Sequence, residues 1–314
     1  MAGFFRIFNN TLSLAGETKR LGFSSKDPMF IPDDYLEKKE FIVMRTCHGI
    51  GDWCIISSMP KLIKQKYPNC KVYIPSSNML KNIYGTMLNN WGYGTYDCSQ
   101  ITHDVFENNP YVDGFVDNFG GEIFHDHYKI YDENNDEIPL VEQMLKFWQF
   151  TDEEINNMDS TPDIFFNNKE IQFGKKIIKR FWDKNPFGYL GLTSTFGNTS
   201  DTNPLINKVK EFGPKYNWFY YGEIPLKDTD LSFLENVIDV KSLKLSLRQQ
   251  MFLKTKAMVN IGNETGTNLW SAKYSTSYIL GHKKYGKIHG ARLENTTRKN
   301  TYKSGNFVRK INYI

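Results

Sequence analysis

Residues 258–273, MVNIGNETGTNLWSAK, constrain the fold more than any other stretch. Met258, Val259 and Ile261 alternate at the start and read as the end of a buried strand. Gly262-Asn263-Glu264-Thr265-Gly266 follows as a turn of small and polar residues. Leu269, Trp270 and Ala272 then supply the apolar face of a helix. A strand, a small-residue turn and a helix in that order aim unpartnered backbone N–H groups at an anion. Those groups carry partial positive charge. Thr265 and Gly266 stand where they are expected, and a diphosphate is the anion that fits. A plainer account uses the same residues: Asn263 or Thr265 caps a helix, and Gly266 permits the turn.

The same alternation runs through the chain. Phe41-Ile42-Val43-Met44 is a compact apolar run, a buried strand, that leads into Thr46-Cys47-His48-Gly49-Ile50-Gly51-Asp52. One helix is expected next, with Trp53, Ile56, Met59, Leu62, Ile63 and Tyr67 on one face and Pro60 kinking it. Strand 71–75, helix 78–90, strand 112–116, an edge strand over 125–131 and helix 140–150 complete the first half. A boundary is expected at 166–169. Helix 169–183, strand 189–192, helix 205–212 and strand 217–221 follow. Then come a helix capped by Ser246, the organising stretch, and a last strand over 276–280. Repeated β-α order predicts an α/β fold of parallel sheets with helices on their faces. The expected domains are 1–167 and 168–314, with a cleft between the strand C-termini of the two.

Charge is uneven. Lys and Arg number 39 against 35 Asp and Glu, a net charge of +4 that by itself does not call for nucleic acid. From residue 281 onward there are nine Lys/Arg and one acid, Glu294, so the tail carries +8 and the rest −4. A basic tail fits either a phosphate-bearing partner or a solvated end. Cys47, Cys54, Cys70 and Cys98 lack Cys-x-x-Cys spacing, which argues against zinc and suits reduced thiols in a cytoplasmic protein. No apolar run approaches the roughly 20 residues of a membrane helix. In residues 1–16 the apolar positions are broken by Arg6, Asn9 and Asn10, unlike a signal peptide; a packed element is expected, or a segment peripheral to a membrane surface.

Three constellations could carry chemistry. Gly49-Ile50-Gly51-Asp52 lies at the first strand-to-helix turn, with His48 just before it. Its glycines allow a close approach, and Asp52 could take a proton from a hydroxyl; equally, an acid near a helix start is favoured by the dipole. Thr193-Ser194-Thr195 follows a strand of the second half and offers hydroxyls and turn N–H groups to phosphate oxygens, or serves as an ordinary turn. His125-Asp126-His127 is the one histidine cluster, with no third ligand nearby, so no metal site is expected.

These segments together resemble glycosyltransferase family 9, the ADP-heptose:lipopolysaccharide heptosyltransferases. Gly49-Ile50-Gly51-Asp52, Pro60, Lys66-Tyr67-Pro68 and strand 71–74 are similar to that family's opening. Asn109-Pro110-Tyr111-Val112-Asp113 is similar to its short motif ahead of a strand. Ser246-Leu247-Arg248 with Ile261-Gly262-Asn263-Glu264-Thr265-Gly266 and Ala272 resembles its nucleotide-binding segment. The likeness spans about residues 41–281. It implies a GT-B architecture, two Rossmann-like parallel-sheet domains facing across a cleft, and inverting transfer without a metal or other cofactor. It implies a nucleotide sugar on the C-terminal domain and an acceptor saccharide or glycolipid on the N-terminal one, with Asp52 as general base. Thr193, Ser194, Thr195, Glu264, Thr265 and Gly266 would contact the donor diphosphate, and His48, Gly49 and Gly51 would form the acceptor loop. Two departures stand out: Glu264 replaces the family's Asp, and the Lys expected after the Thr/Ser turn is absent from 196–203. Lys283 is the candidate to supply that charge. A second acceptor class, a hydroxylated base in DNA held through the basic tail, fits the same fold, as does a nucleotide-binding module without activity.

Overall fold

Parallel pairing dominates the backbone, as the β-α alternation requires. The computed structural model describes residues 6–7, 31, 33–45, 50–84, 97–120, 123–124, 140–183, 185–192, 203–222, 225–263, 266–271, 273–280 and 311–313. The chain divides into two compact units, one built on residues up to Phe165 and one beginning at Phe166.

The first unit runs β1 (Arg6–Ile7), α1 (Asp33–Glu37), β2 (Glu40–Ile42), α2 (Ile50–Ile55), α3 (Met59–Lys66), β3 (Lys71–Pro75), α4 (Ser77–Tyr84), α5 (Ile101–Phe106), β4 (Gly114–Val116), β5 (Ile123–Phe124), α6 (Leu140–Phe147) and α7 (Asp152–Asn157). Strands β2, β3 and β4 form a parallel sheet in that order, while β1 and β5 pair antiparallel. Phe41 of β2 anchors the core, its ring tilted against Tyr35 and edge-on to Tyr67 and Trp148 at 5.3–5.6 Å. The single kinked helix expected around Pro60 is two helices. The chain turns at 56–58, and Pro60 occupies the start of α3. Proline is favoured there because its missing N–H would have no helical partner anyway.

Polar ties hold this unit's corners. Ser57 Oγ accepts the Asp163 N–H at 2.9 Å, Ser58 Oγ donates to the Ser160 carbonyl at 2.9 Å, and Lys61 pairs with Asp163 at 2.9 Å. Asn109 Nδ2 donates to the Ser57 carbonyl at 3.4 Å, while its Oδ1 accepts the Tyr111 N–H at 3.0 Å. Asp113 accepts the Val72 N–H and pairs with Lys64, both at 2.7 Å. Burial alone would raise the Asp113 pKa, but these donors hold it below the ordinary value. Lys66 reaches Glu154 and the Gln149 carbonyl, and the Tyr67 hydroxyl donates to the Trp148 carbonyl.

The second unit runs α8 (Asn168–Phe181), β6 (Phe187–Leu192), α9 (Asn203–Lys210), β7 (Asn217–Gly222), β8 (Val237–Asp239), α10 (Leu247–Lys256), β9 (Val259–Asn263), α11 (Gly266–Ser271), β10 (Thr276–Leu280) and β11 (Ile311–Tyr313). Its six strands are all parallel, in the order β11-β10-β9-β6-β7-β8. Counted within the unit, that is 3-2-1-4-5-6, the doubly wound Rossmann order. Period-two alternation gives the sheet two apolar faces. Leu190, Trp218, Tyr220, Val259 and Ile261 pack with Leu205, Ile206 and Val209 of α9. Phe187, Tyr189 and Phe219 pack on the other face with Trp182 and with Leu253 of α10. Strands β8 and β11, both short edges, were not expected from the sequence. Among the described residues no helix is long and apolar enough to cross a membrane, and Cys54, Cys70 and Cys98 are buried thiols outside any disulfide.

Ser246 caps α10 through a capping box with Gln249, as its sequence position implies. Arg248 then grips Glu170 of α8 with two hydrogen bonds, Nε to Oε1 at 2.5 Å and Nη2 to Oε2 at 3.0 Å. Burial pushes the Glu170 carboxyl up, yet the Arg248 and Asn167 donors outweigh it and leave its pKa lowered. A depressed folded pKa means the pair stabilises fully above the unfolded carboxyl's value and loses that stability as pH falls through the folded one. Glu170→Gln should therefore destabilise the protein by about 3 kcal/mol near neutral pH. Urea denaturation followed by tryptophan fluorescence should show the gap between variant and parent closing below about pH 4.

Candidate functional site at the β6–β9 edge

Strands β6 and β9 are hydrogen-bonded neighbours, and the chain reverses its direction of winding between them. In a doubly wound sheet this is where a ligand crevice opens, beyond the C-terminal ends of the two strands. Gly191 and Gly262 face each other there in register. A Cβ on Gly262 would lie 2.2 Å from the Gly191 carbonyl oxygen and 2.7 Å from Asn268 Nδ2. Only glycine permits that approach, which lets α11 settle directly against the strand pair.

A buried polar layer fills the space beneath. Asn268 Nδ2 donates to the Asn263 carbonyl at 2.6 Å. Lys254 of α10 donates to Asn268 Oδ1 at 2.6 Å and to Thr267 Oγ1 at 2.9 Å. Its ammonium also lies 5.0 Å from the centre of the Tyr189 ring. Tyr189 donates to Gln250 Oε1 at 3.2 Å, and burial pushes its hydroxyl pKa up strongly. Lys254 is 4% exposed and Asn263 7%. Asn260 Nδ2 donates to the Lys254 carbonyl at 3.2 Å. The Oδ1 atoms of Asn260 and Asn263 are buried without a hydrogen-bond partner among the described residues. Polar groups are costly to bury at such density, and a core built only for stability uses apolar side chains.

Several expected site residues can be placed. Gly266 is the first residue of α11. The strand ahead of it differs from expectation: Met258 is 58% exposed, and β9 runs through Gly262 and Asn263, which the sequence assigns to the turn. Pairing to β6 on one side and β10 on the other keeps those two residues extended. Thr193, Ser194, Thr195, Glu264, Thr265 and Lys283 lie outside the described residues, as do His48, Gly49 and the histidine cluster at 125–127. In the first unit Gly51 and Asp52 are the second and third residues of α2, in its first turn.

The sequence reading missed three features. Lys254 sits on the packed side of α10, three residues after the buried Met251; a lysine inside an apolar stripe is the signal for it. Arg45, completely buried, follows β2 just ahead of the Gly49 turn. Ser76 donates a short hydrogen bond to Asp117, and these two residues directly follow β3 and β4.

No protein-family model matches the chain, and no curated protein matches it. Solved structures give looser likenesses. A family 9 glycosyl transferase from Veillonella parvula DSM 2008 is 10% identical, over 82% of this chain and 82% of its own, at a TM-score of 0.45. The E. coli ADP-heptose lipopolysaccharide heptosyltransferase II is 10% identical over 77% of this chain and 84% of its own, at 0.44. An E. coli heptosyltransferase with ADP is 9% identical over 77% and 86%, at 0.35.

The close contact at Gly262 gives a direct test. Gly262→Ala forces Cβ against a backbone oxygen that cannot rotate away, and should cost about 3 kcal/mol in urea denaturation. Gly120→Ala, whose Cβ would meet nothing within 4 Å, should stay within about 0.5 kcal/mol of the parent.

Proposed function

We propose that this protein is a glycosyltransferase of the family 9 kind, of GT-B architecture, moving a sugar from a nucleoside diphosphate to an acceptor hydroxyl with inversion and without a metal. One observation carries this: residues 193–195 and 264–266, the two segments read from the sequence as diphosphate turns, continue directly from adjacent strands at the switch point of a Rossmann-ordered sheet. The strands that lead into these two segments, β6 and β9, are hydrogen-bonded neighbours. The resemblance of both segments, in order, to family 9 supports the same assignment.

The second unit would then hold the donor, and the first unit the acceptor saccharide or glycolipid. Asp52 takes the proton of the acceptor hydroxyl as that oxygen attacks the anomeric carbon. A new carbon–oxygen bond forms while the bond to the diphosphate breaks, and the electron pair leaves with the nucleoside diphosphate. Charge therefore grows on the leaving phosphate in the transition state. Backbone N–H groups at residues 265–266 and the hydroxyls of Thr193, Ser194 and Thr195 stabilise it there, which lowers the barrier rather than only tightening binding. No step requires a cofactor. Work in the cytoplasm, where nucleotide sugars are made, suits this chemistry.

Thermal-shift screening against a panel of nucleotide sugars tests the donor assignment, since a ligand of the folded state raises the melting temperature. A donor should emerge from that panel; a flat response across it would count against the proposal. With the donor known, Asp52→Asn should lose turnover by roughly 10²–10⁴-fold at unchanged donor affinity.

A further inference from the structure

Helix α8 turns one face inward and leaves a strongly cationic one outside. Inward, Ile177, Ile178 and Phe181 pack on the apolar cluster of the sheet. Gly174 meets α10 so closely that a Cβ on it would lie 2.0 Å from Phe252 Cδ1. Glu170, the single acid of the helix, is held by Arg248. On the opposite face Lys169, Phe173, Lys175, Lys176, Lys179 and Arg180 are exposed. At about 3.6 residues per turn, Lys169, Phe173, Lys176 and Arg180 fall in one stripe that runs about 16 Å along the helix. Phe173 is 38% exposed, so its ring stands partly in water between those cations.

Stability does not explain this face. Elsewhere cations on a helix find acids: Lys61, Lys64 and Lys66 of α3 reach Asp163, Asp113 and Glu154. The cations on the outer face of α8 form no salt bridge among the described residues. Arg180 lies over the ring of its neighbour Phe181, 5.1 Å from the centre, which leaves its charge uncompensated. Lys175 and Lys179, and Lys176 and Arg180, are like charges one turn apart, and such pairs weaken a helix. The helix dipole favours Lys179 and Arg180 in the last turn but opposes Lys169 in the first. A phenyl ring left partly in water forgoes part of the gain of burial.

We infer that the outer face of α8 docks on an anionic phospholipid bilayer, with its cations against the lipid phosphates and Phe173 entering the headgroup boundary. Lys and Arg stems lie along such a surface with their charges at phosphate depth, around a ring that reaches the acyl chains. A nucleic-acid duplex suits the face less well. Its phosphates would meet the cations, but a phenyl ring among them offers no donor or acceptor to a base edge. The face belongs to the second unit alone and does not depend on the donor assignment, so a flat nucleotide-sugar screen leaves it standing.

Co-sedimentation of the full chain with lipid vesicles tests this. The protein should bind vesicles of equal parts phosphatidylglycerol and phosphatidylcholine, less tightly as added salt screens the charges, and should not bind phosphatidylcholine alone. Each Lys or Arg near an anionic surface contributes about fivefold in affinity, so the triple variant Lys169→Gln, Lys176→Gln, Arg180→Gln should bind about 100-fold more weakly. It changes exposed side chains only and should keep the parent's urea midpoint. Phe173→Ala should weaken binding by about 3- to 10-fold with every charge in place, the mark of a ring that enters the boundary. Failure of the unmodified protein to bind the anionic vesicles would overturn the inference. So would a triple variant that binds them as well as the parent, since another basic segment would then be the carrier. The same variants titrated with duplex DNA supply the last arm: a loss confined to DNA would assign the face to nucleic acid and overturn the membrane reading.

Discussion

The close approach of Gly191 and Gly262 is the constraint on which the second unit's site depends. Two central parallel strands come together in register with no side chain between them and α11. That absence lets Asn268 reach the Asn263 carbonyl, and lets Lys254 reach Asn268. A methyl group at residue 262 would push α11 outward and open the polar layer. The apolar clusters on the two sheet faces hold the strands, but the glycine pair sets how near the helix can come.

Several residues that carry the family resemblance serve as scaffold. Lys66 and Tyr67 fasten the end of α3 to the carbonyls of Gln149 and Trp148. Asn109 ties its own turn to the corner between α2 and α3, and Asp113 joins α3 to β3 through Lys64 and the Val72 N–H. Arg248 clamps α10 to α8. Each replaces water around a buried backbone or charged group, which explains why a polar residue is needed at a half-buried place. A motif is thus a mixture of groups that meet a ligand and groups that hold the turn carrying them.

Elements governed by a strong local period were legible. Strands 71–75 and 276–280 and the Ser246 cap lie where the residues put them. Pro60 misled because a proline within an apolar helical stripe reads as a kink, whereas the backbone used it to begin a second helix. Met258 misled because an apolar residue at a strand's start need not be buried. Gly262 and Asn263 look like turn residues, yet pairing on both sides keeps them in β9. The three-residue edge strands β8 and β11 are too short to show a period of their own.

The sequence by itself determined the alternation of the longer strands with helices and the Ser246 cap, and it singled out two segments suited to an anion, because these follow from side-chain periodicity and backbone chemistry over a few residues. Tertiary structure decided that β6, which ends at Leu192, and β9, which begins at Val259, are neighbours, a separation along the chain that no local rule spans. It also decided that Lys254 is buried, which most of the described lysines are not. Neighbourhood in a parallel sheet, and the burial of a charge, depend on which distant surfaces pack together, and no short window of residues contains that information.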